Sequence, residues 1–339
     1  MWTSDVTGAT SPTEVSPELL KPLVDVVATM GKLGATSGHI PLAKPWESLR
    51  GGLLTFRAGV REAVIHRDGE AARLRRALAT TATEGPGVPA ATAVATVSGW
   101  LKAVATVEAA WAKLKAEATG LKDACAVVAE TGATAGATAG AAMGKLAEAI
   151  AREDEACKNL RAATHLLPLA LEPTEPAEKM EAHDARLAGA QAGLQAASKA
   201  TEEEAVVVAH KMKAKEWGQR AAVACELLGQ LVVACDGAHR YYCHLQRRLK
   251  DIEAMVGPEA TQGDAGSPKG LAEAVAVAEA LWVASARLAQ EHLLGMLKVV
   301  HVLLTTGGTT DGTAEATDLA RRCQDATTAL PGLLPPGLA

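Results

Sequence analysis

Apolar residues recur along most of this chain at alternating steps of four and three. From Trp217 the stepping gives Ala221, Ala224, Leu228, Leu231, Cys235, Ala238, Tyr242, Leu245, Leu249, Ile252 and Val256 with no polar interruption. From Trp100 it gives Val104, Val107, Trp111, Leu114, Ala118, Leu121, Cys125 and Val128. From Leu271 similar stepping gives Val275, Ala278, Trp282, Ser285, Ala289, Leu293, Met296, Val300 and Leu303. A mean step of 3.5 keeps one stripe of an α-helix in line. Such a stripe cannot be buried by its own helix, so these helices must pack side by side. The pattern predicts an all-α fold, an elongated bundle of long antiparallel helices with a three-helix core and irregular end loops. Alanine at many seam positions permits close approach, and the tryptophans fill the remaining space.

Proline and glycine set the element ends, because proline inside a helix removes a hydrogen bond and clashes with the preceding turn. Five prolines fall in the first 45 residues, around one short helix from Glu18 to Leu33. A second block runs from Trp46 to Thr80 and ends at TEGPGVP, where Pro86 and Pro89 break any helix. Long helices are predicted at about 90–130, 141–167, 177–256 and 269–304. The segment TGATAGATAG, residues 131–140, reads as a turn, since each glycine costs about 1 kcal/mol relative to alanine in a helix. Asp236-Gly237 reads as a kink, because the seam stays in register through it. Residues 305–318 read as a loop with a cap at Thr313, then a short helix to about Thr328. The tail LPGLLPPGLA reads as non-helical. The resulting domain division is an N-terminal segment at 1–45, the helical bundle at 46–330, and a flexible tail at 331–339. No fixed-period repeat emerges.

Composition narrows the classes. Apolar residues make up 48%, yet aromatics only 3%, and 72 residues are alanine. An ordinary apolar fraction with a net charge of -5 argues against disorder. The shortage of aromatic and β-branched residues argues against a sandwich or barrel. The balance of 34 basic and 39 acidic residues argues against a nucleic-acid partner. A single Asn, a single Phe and four Ile fit a GC-rich coding sequence, and Asn159 heads no glycosylation acceptor. The most apolar run, residues 293–304, contains Lys298 and His301 and is too short to span a bilayer. The start, MWTSDVTGATSPTEVSPE, lacks the basic and apolar stretches of a secretory signal. The chain is therefore expected to be cytosolic, or an ectodomain whose signal and membrane anchor lie outside it.

The candidate chemistry is sparse. Six cysteines, Cys125, Cys157, Cys225, Cys235, Cys243 and Cys323, are disulfide candidates. On one helix, Cys225, Cys235 and Cys243 stand too far apart to bond one another, at about 1.5 Å per residue. Each would take one of Cys125, Cys157 and Cys323, leaving six connectivities. A Cys235–Cys243 bridge requires a turn at Asp236-Gly237, and free buried thiols in a reducing compartment are the other reading. In CDGAHRYYCH, Cys235, His239 and Cys243 share one helix face, with His244 beside them. A single zinc could take only one adjacent pair from that face, and no CxxC or HExxH supplies more ligands. We therefore expect no metal, no cofactor and no catalytic residue. Glu202, Glu203 and Glu204, like Glu153 and Asp154, read as a solvated helix face rather than an acid/base pair. Arg240, Arg247, Arg248 and Lys250 are offset by Asp251 and Glu253. No G-x-S-x-G elbow or P-loop is present.

Long alanine-rich helices with interspersed cysteines, and segments such as LAEAIAREDEACKNLRAATHLL at residues 146–167, resemble the ectodomains of trypanosome surface glycoproteins. That group comprises the variant and invariant surface glycoproteins, the alanine-rich coat proteins and the haptoglobin–haemoglobin receptor. The resemblance covers most of residues 18–330 in texture and implies an upright three-helix bundle on the cell surface. It further implies a C-terminal lipid anchor or membrane helix, and a membrane-distal head that meets a host protein or antibody. The expected function is a non-enzymatic parasite surface protein acting as receptor, coat or antigen. The alternative is an intracellular helical scaffold or adaptor from a GC-rich organism. A partner is expected at one end of the bundle, where connecting segments supply irregular backbone, and a homodimer is compatible with the pattern. TEGPGVP and residues 168–176 are expected to share one end, with residues 131–140 and 257–268 at the other.

Overall fold

A computed structural model describes residues 17–36, 42–65, 73, 76, 88–165, 177–256, 268–306 and 312–333. A 3-10 turn at Pro17–Leu19 leads into α1 (Lys21–Thr36), followed by α2 (Ala43–Ile65), α3 (Val88–His165) and α4 (Ala177–Val256). Then come α5 (Pro268–Leu288), a π-helical turn (Ala289–Leu293), α6 (Leu294–Thr306) and α7 (Gly312–Leu333). The described residues hold no strand. The fold is an all-α bundle of long antiparallel helices. Contacts divide the chain into two compact units, one of Met1–Cys125 with Val223–Ala339 and one of Ala126–Ala222. The division falls within α3 and within α4.

In the first unit the predicted seams are the core. Trp100, Val104, Val107, Trp111, Leu114, Ala118, Leu121 and Cys125 of α3 are buried. So are the α4 seam residues from Ala224 to Ile252 and the α5–α6 seam residues from Val275 to Leu303. Ser98 Oγ donates to Glu253 at 3.3 Å, and Lys115 meets Asp236 at 2.6 Å, so α3 and α4 run antiparallel. Trp100 packs edge-on to Trp282 at 6.0 Å, and the Tyr241 hydroxyl donates to the Leu281 carbonyl, which seats α5 against both. On α2, Phe56 lies 4.2 Å from Trp111.

Several expectations are corrected here. Residues 131–140 are not a turn: α3 passes through them unbroken. The hydroxyls of Thr131 and Thr134 donate back to the carbonyls of Val127 and Glu130, at 2.8 and 3.1 Å, so they do not compete with the helix. Gly132 lies against Gly218 of α4 so closely that a Cβ on either would strike the other's backbone. The glycines permit helix contact rather than chain reversal. Two expected helices, 90–130 and 141–167, are thus one. Asp236-Gly237, expected as a kink and not a loop, lies inside α4, which runs through it without a loop. There Gly237 admits Pro22 of α1, whose ring atoms would lie 2.7 Å from an added Cβ.

Val88 and Pro89 already belong to α3, since proline is tolerated in a helix's first turn. Thr313 is a first-turn residue of α7 and not its cap. Pro331 to Leu333, expected in the flexible tail, form the last turn of α7, held by buried Leu330 and Leu333. The expected helices Glu18–Leu33 and 269–304 appear as α1 and α5–α6, the latter with the unforeseen π turn. The Ser98–Glu253 bond sets the start of α3 beside the end of α4. The expected placing of TEGPGVP with residues 168–176, and of residues 257–268 with 131–140, rests on connecting segments outside the described residues. Residues 81–87, 166–176, 257–267 and 334–339 lie outside the described residues.

One further correction concerns hydropathy. Between Met180 and Val256, α4 contains an 18-residue window of mean hydropathy 1.5, apolar enough by length and composition to cross a membrane. Of that window 39% is buried.

In the second unit α3 and α4 form an antiparallel pair. Gly132 faces Gly218, Lys211 Nζ donates to the Thr138 carbonyl at 3.5 Å, and His183 Nε2 lies 3.0 Å from the Ala163 carbonyl. Ala139, Ala142 and Ala149 are buried between the helices.

Candidate functional site

The CDGAHRYYCH stretch is helical, so positions four apart stand one above the other on α4. His239 and Cys243 meet in this way, with Cys243 Sγ 3.4 Å from His239 Nε2. Antiparallel pairing with α3 brings Glu108 opposite them. Cys243 Sγ donates to Glu108 Oε1 at 3.5 Å, and His239 Nδ1 lies 3.8 Å from the same oxygen. The other carboxylate oxygen, Oε2, accepts from Gln246 Nε2 at 3.3 Å. One imidazole, one thiol and one carboxylate thus converge, with ligand atoms all within 4.8 Å of one another. The site is half open, Glu108 being 24% and His239 40% exposed. The Nδ1 atom of His239 is nevertheless shut off from solvent and makes no hydrogen bond. Burial first, then the Glu108 carboxylate, push the Cys243 thiol above its ordinary value, against the pull of Arg247 and Lys250.

The other residues of that stretch stand apart from the cluster. Cys235 is buried in the seam, its thiol pushed up to about 12 by burial and by Asp236. His244 is half-buried, and burial together with Arg248 and Arg247 holds its imidazole below its ordinary value. Glu202, Glu203, Glu204, Glu153 and Asp154 lie on exposed or half-exposed helix faces, with Glu203 pairing Lys199 at 3.9 Å. Arg240, Arg247 and Lys250 are exposed and Arg248 half-buried.

All six cysteines are unpaired, which corrects the disulfide expectation. Cys125, Cys235 and Cys323 are buried seam or core residues. Burial pushes the Cys125 and Cys323 thiols up to about 11. Each behaves as a small apolar side chain. Cys225 donates to the Lys122 carbonyl at 3.8 Å.

Exposed apolar residues concentrate in the second unit. Val127, Met143, Ile150, Met180, Val206, Val207 and Met212 are seven of the twelve large apolar side chains exposed among the described residues.

No family model matches the chain, and no curated protein matches it. Among solved structures, the chain is similar to the pre-pore AhlB of the tripartite alpha-pore forming toxin, AHL, from Aeromonas hydrophila. That similarity covers 85% of this chain and 92% of the other, at 12% identity and a TM-score of 0.31, too slight to bear on function.

Proposed function

We propose that the protein is a non-enzymatic helical-bundle binding protein, displayed on a parasite cell surface, where it meets a host protein or antibody. The observation that carries this reading is the unit Ala126–Ala222. Its described residues are a two-helix pair with little interior, and seven large apolar side chains face outward from it. The concentration of exposed large apolar side chains in one unit supports a protein contact there. With residues 131–140 helical, the proposed contact moves from that expected turn to the hairpin itself.

Labelling intact native cells with a membrane-impermeant amine reagent tests display. Lys145, Lys158, Lys199 and Lys211 of the hairpin should be modified before lysis. Modification only after lysis would reject surface display. A second reading, an intracellular scaffold or adaptor, is favoured by the six unpaired cysteines, since reducing compartments keep thiols free. It predicts lysis-dependent labelling together with six free thiols in protein from its native cell.

A further inference from the structure

We propose that Glu108, His239 and Cys243 form a binding site for a zinc-class divalent cation, which nothing in the function proposed above requires. The distances carry the inference. With Zn–S near 2.3 Å and Zn–N or Zn–O near 2.0–2.1 Å, a tetrahedral site sets its ligand atoms roughly 3.3–3.6 Å apart. Here Cys243 Sγ lies 3.4 Å from His239 Nε2 and 3.5 Å from Glu108 Oε1. Two edges of a tetrahedron are therefore already in place; the 3.8 Å approach to Glu108 Oε1 is made by the ring's other nitrogen, Nδ1, and the third edge is bounded by the 4.8 Å within which the three ligand atoms lie. Small side-chain rotations would bring all three atoms onto one ion.

Two further observations point the same way. Gln246 Nε2 holds Glu108 Oε2, the arrangement by which an outer residue orients a ligating carboxylate and leaves its other oxygen free. Two of the ligands rise from adjacent turns of α4 and the third from α3, so rigid elements fix the site. Thiolate with imidazole selects zinc, or cobalt as its probe, over the oxygen-seeking calcium and magnesium. On binding, the Cys243 thiol releases its proton to solvent, an S–metal bond forms, and coordinated waters leave; no electron moves. The half-open setting keeps a fourth position for water.

The test uses the full chain, reduced and freed of metal. Cobalt(II) titration should give a thiolate-to-cobalt charge-transfer band that saturates at one ion per chain and is displaced by zinc. Cys243→Ser should abolish the band. Glu108→Gln and His239→Gln should weaken binding at least tenfold, while Gln246→Ala should weaken it about tenfold or more through orientation alone. Cys157→Ser and Cys225→Ser should change nothing. Circular dichroism of each variant verifies its helices. A measurement on the unaltered protein stands beside these: zinc should slow alkylation of Cys243 and leave Cys157 unaffected. The proposal is overturned by absence of the band, by a band that survives Cys243→Ser, or by alkylation of Cys243 that zinc does not slow.

Discussion

Trp111 ties three elements of the first unit together. Its ring touches Phe56 of α2 at 4.2 Å and Tyr242 of α4 at 6.4 Å, and it is wholly buried. Trp111→Ala should cost about 3–5 kcal/mol, read from the shift of a urea unfolding curve. A loss below about 1 kcal/mol would show that the pocket collapses without it. The buried thiols give a pH dependence with a definite sign. Against an ordinary value of 9.0, Cys125 and Cys323 are pushed up to about 11 and Cys235 to about 12. Between these values the folded state holds protons that the unfolded chain has lost. Their contribution to stability is complete below about pH 9 and disappears as pH rises to about 12. Urea midpoints measured across that range should fall, and fall less steeply in Cys235→Ala. The His239–Cys243 pairing at the candidate site was legible in the sequence, because helical spacing alone brings such residues together. Glu108 was not legible. It lies 135 positions from Cys243, and only the register between α3 and α4 joins them. A heptad seam repeats every seven residues and cannot by itself choose that register. Trp111 on Tyr242 and Lys115 on Asp236 choose it.

The helices were read correctly wherever large side chains mark the seam, as from Trp100 to Cys125 and from Ala221 to Ile252. The error at residues 131–140 came from weighing glycine's intrinsic cost above its tertiary use. Small residues at 132, 135, 139 and 142 continue the same alternation of four and three, and Gly132, Ala139 and Ala142 are buried. Their smallness hid the stripe. Gly132 and Gly218 can therefore be told apart from glycines that do no packing. Gly132→Val should disrupt the α3–α4 pair, lowering thermal stability and helix content. Gly120→Ala and Gly144→Ala, where an added Cβ meets nothing within 4 Å, should each stabilise by up to about 1 kcal/mol. Circular dichroism melts separate the two cases, and an unchanged melt for Gly132→Val would refute the close contact. The π turn at Ala289–Leu293 left one mark in the apolar pattern: the seam takes two successive steps of four, from Ser285 to Ala289 to Leu293, one residue more than the alternation allows.

At the scale of the whole molecule, the two units differ in what they bury. The first holds the large aromatic and aliphatic core residues, while the second buries chiefly alanine and glycine between two helices. Burial of apolar area is the main source of stability, about 25 cal/mol per Å², so the second unit should open at lower free energy than the first. The proposed binding role rests on that unit being a true helical pair despite its thin interior. Native-state hydrogen exchange read by peptide mass tests this most directly. Residues 97–125 and 224–252 should exchange slowest, while residues 131–150 and 190–218 should be clearly protected but open sooner. Exchange of residues 131–140 at the rate of an unstructured peptide would contradict the continuous α3 and, with it, the paired hairpin.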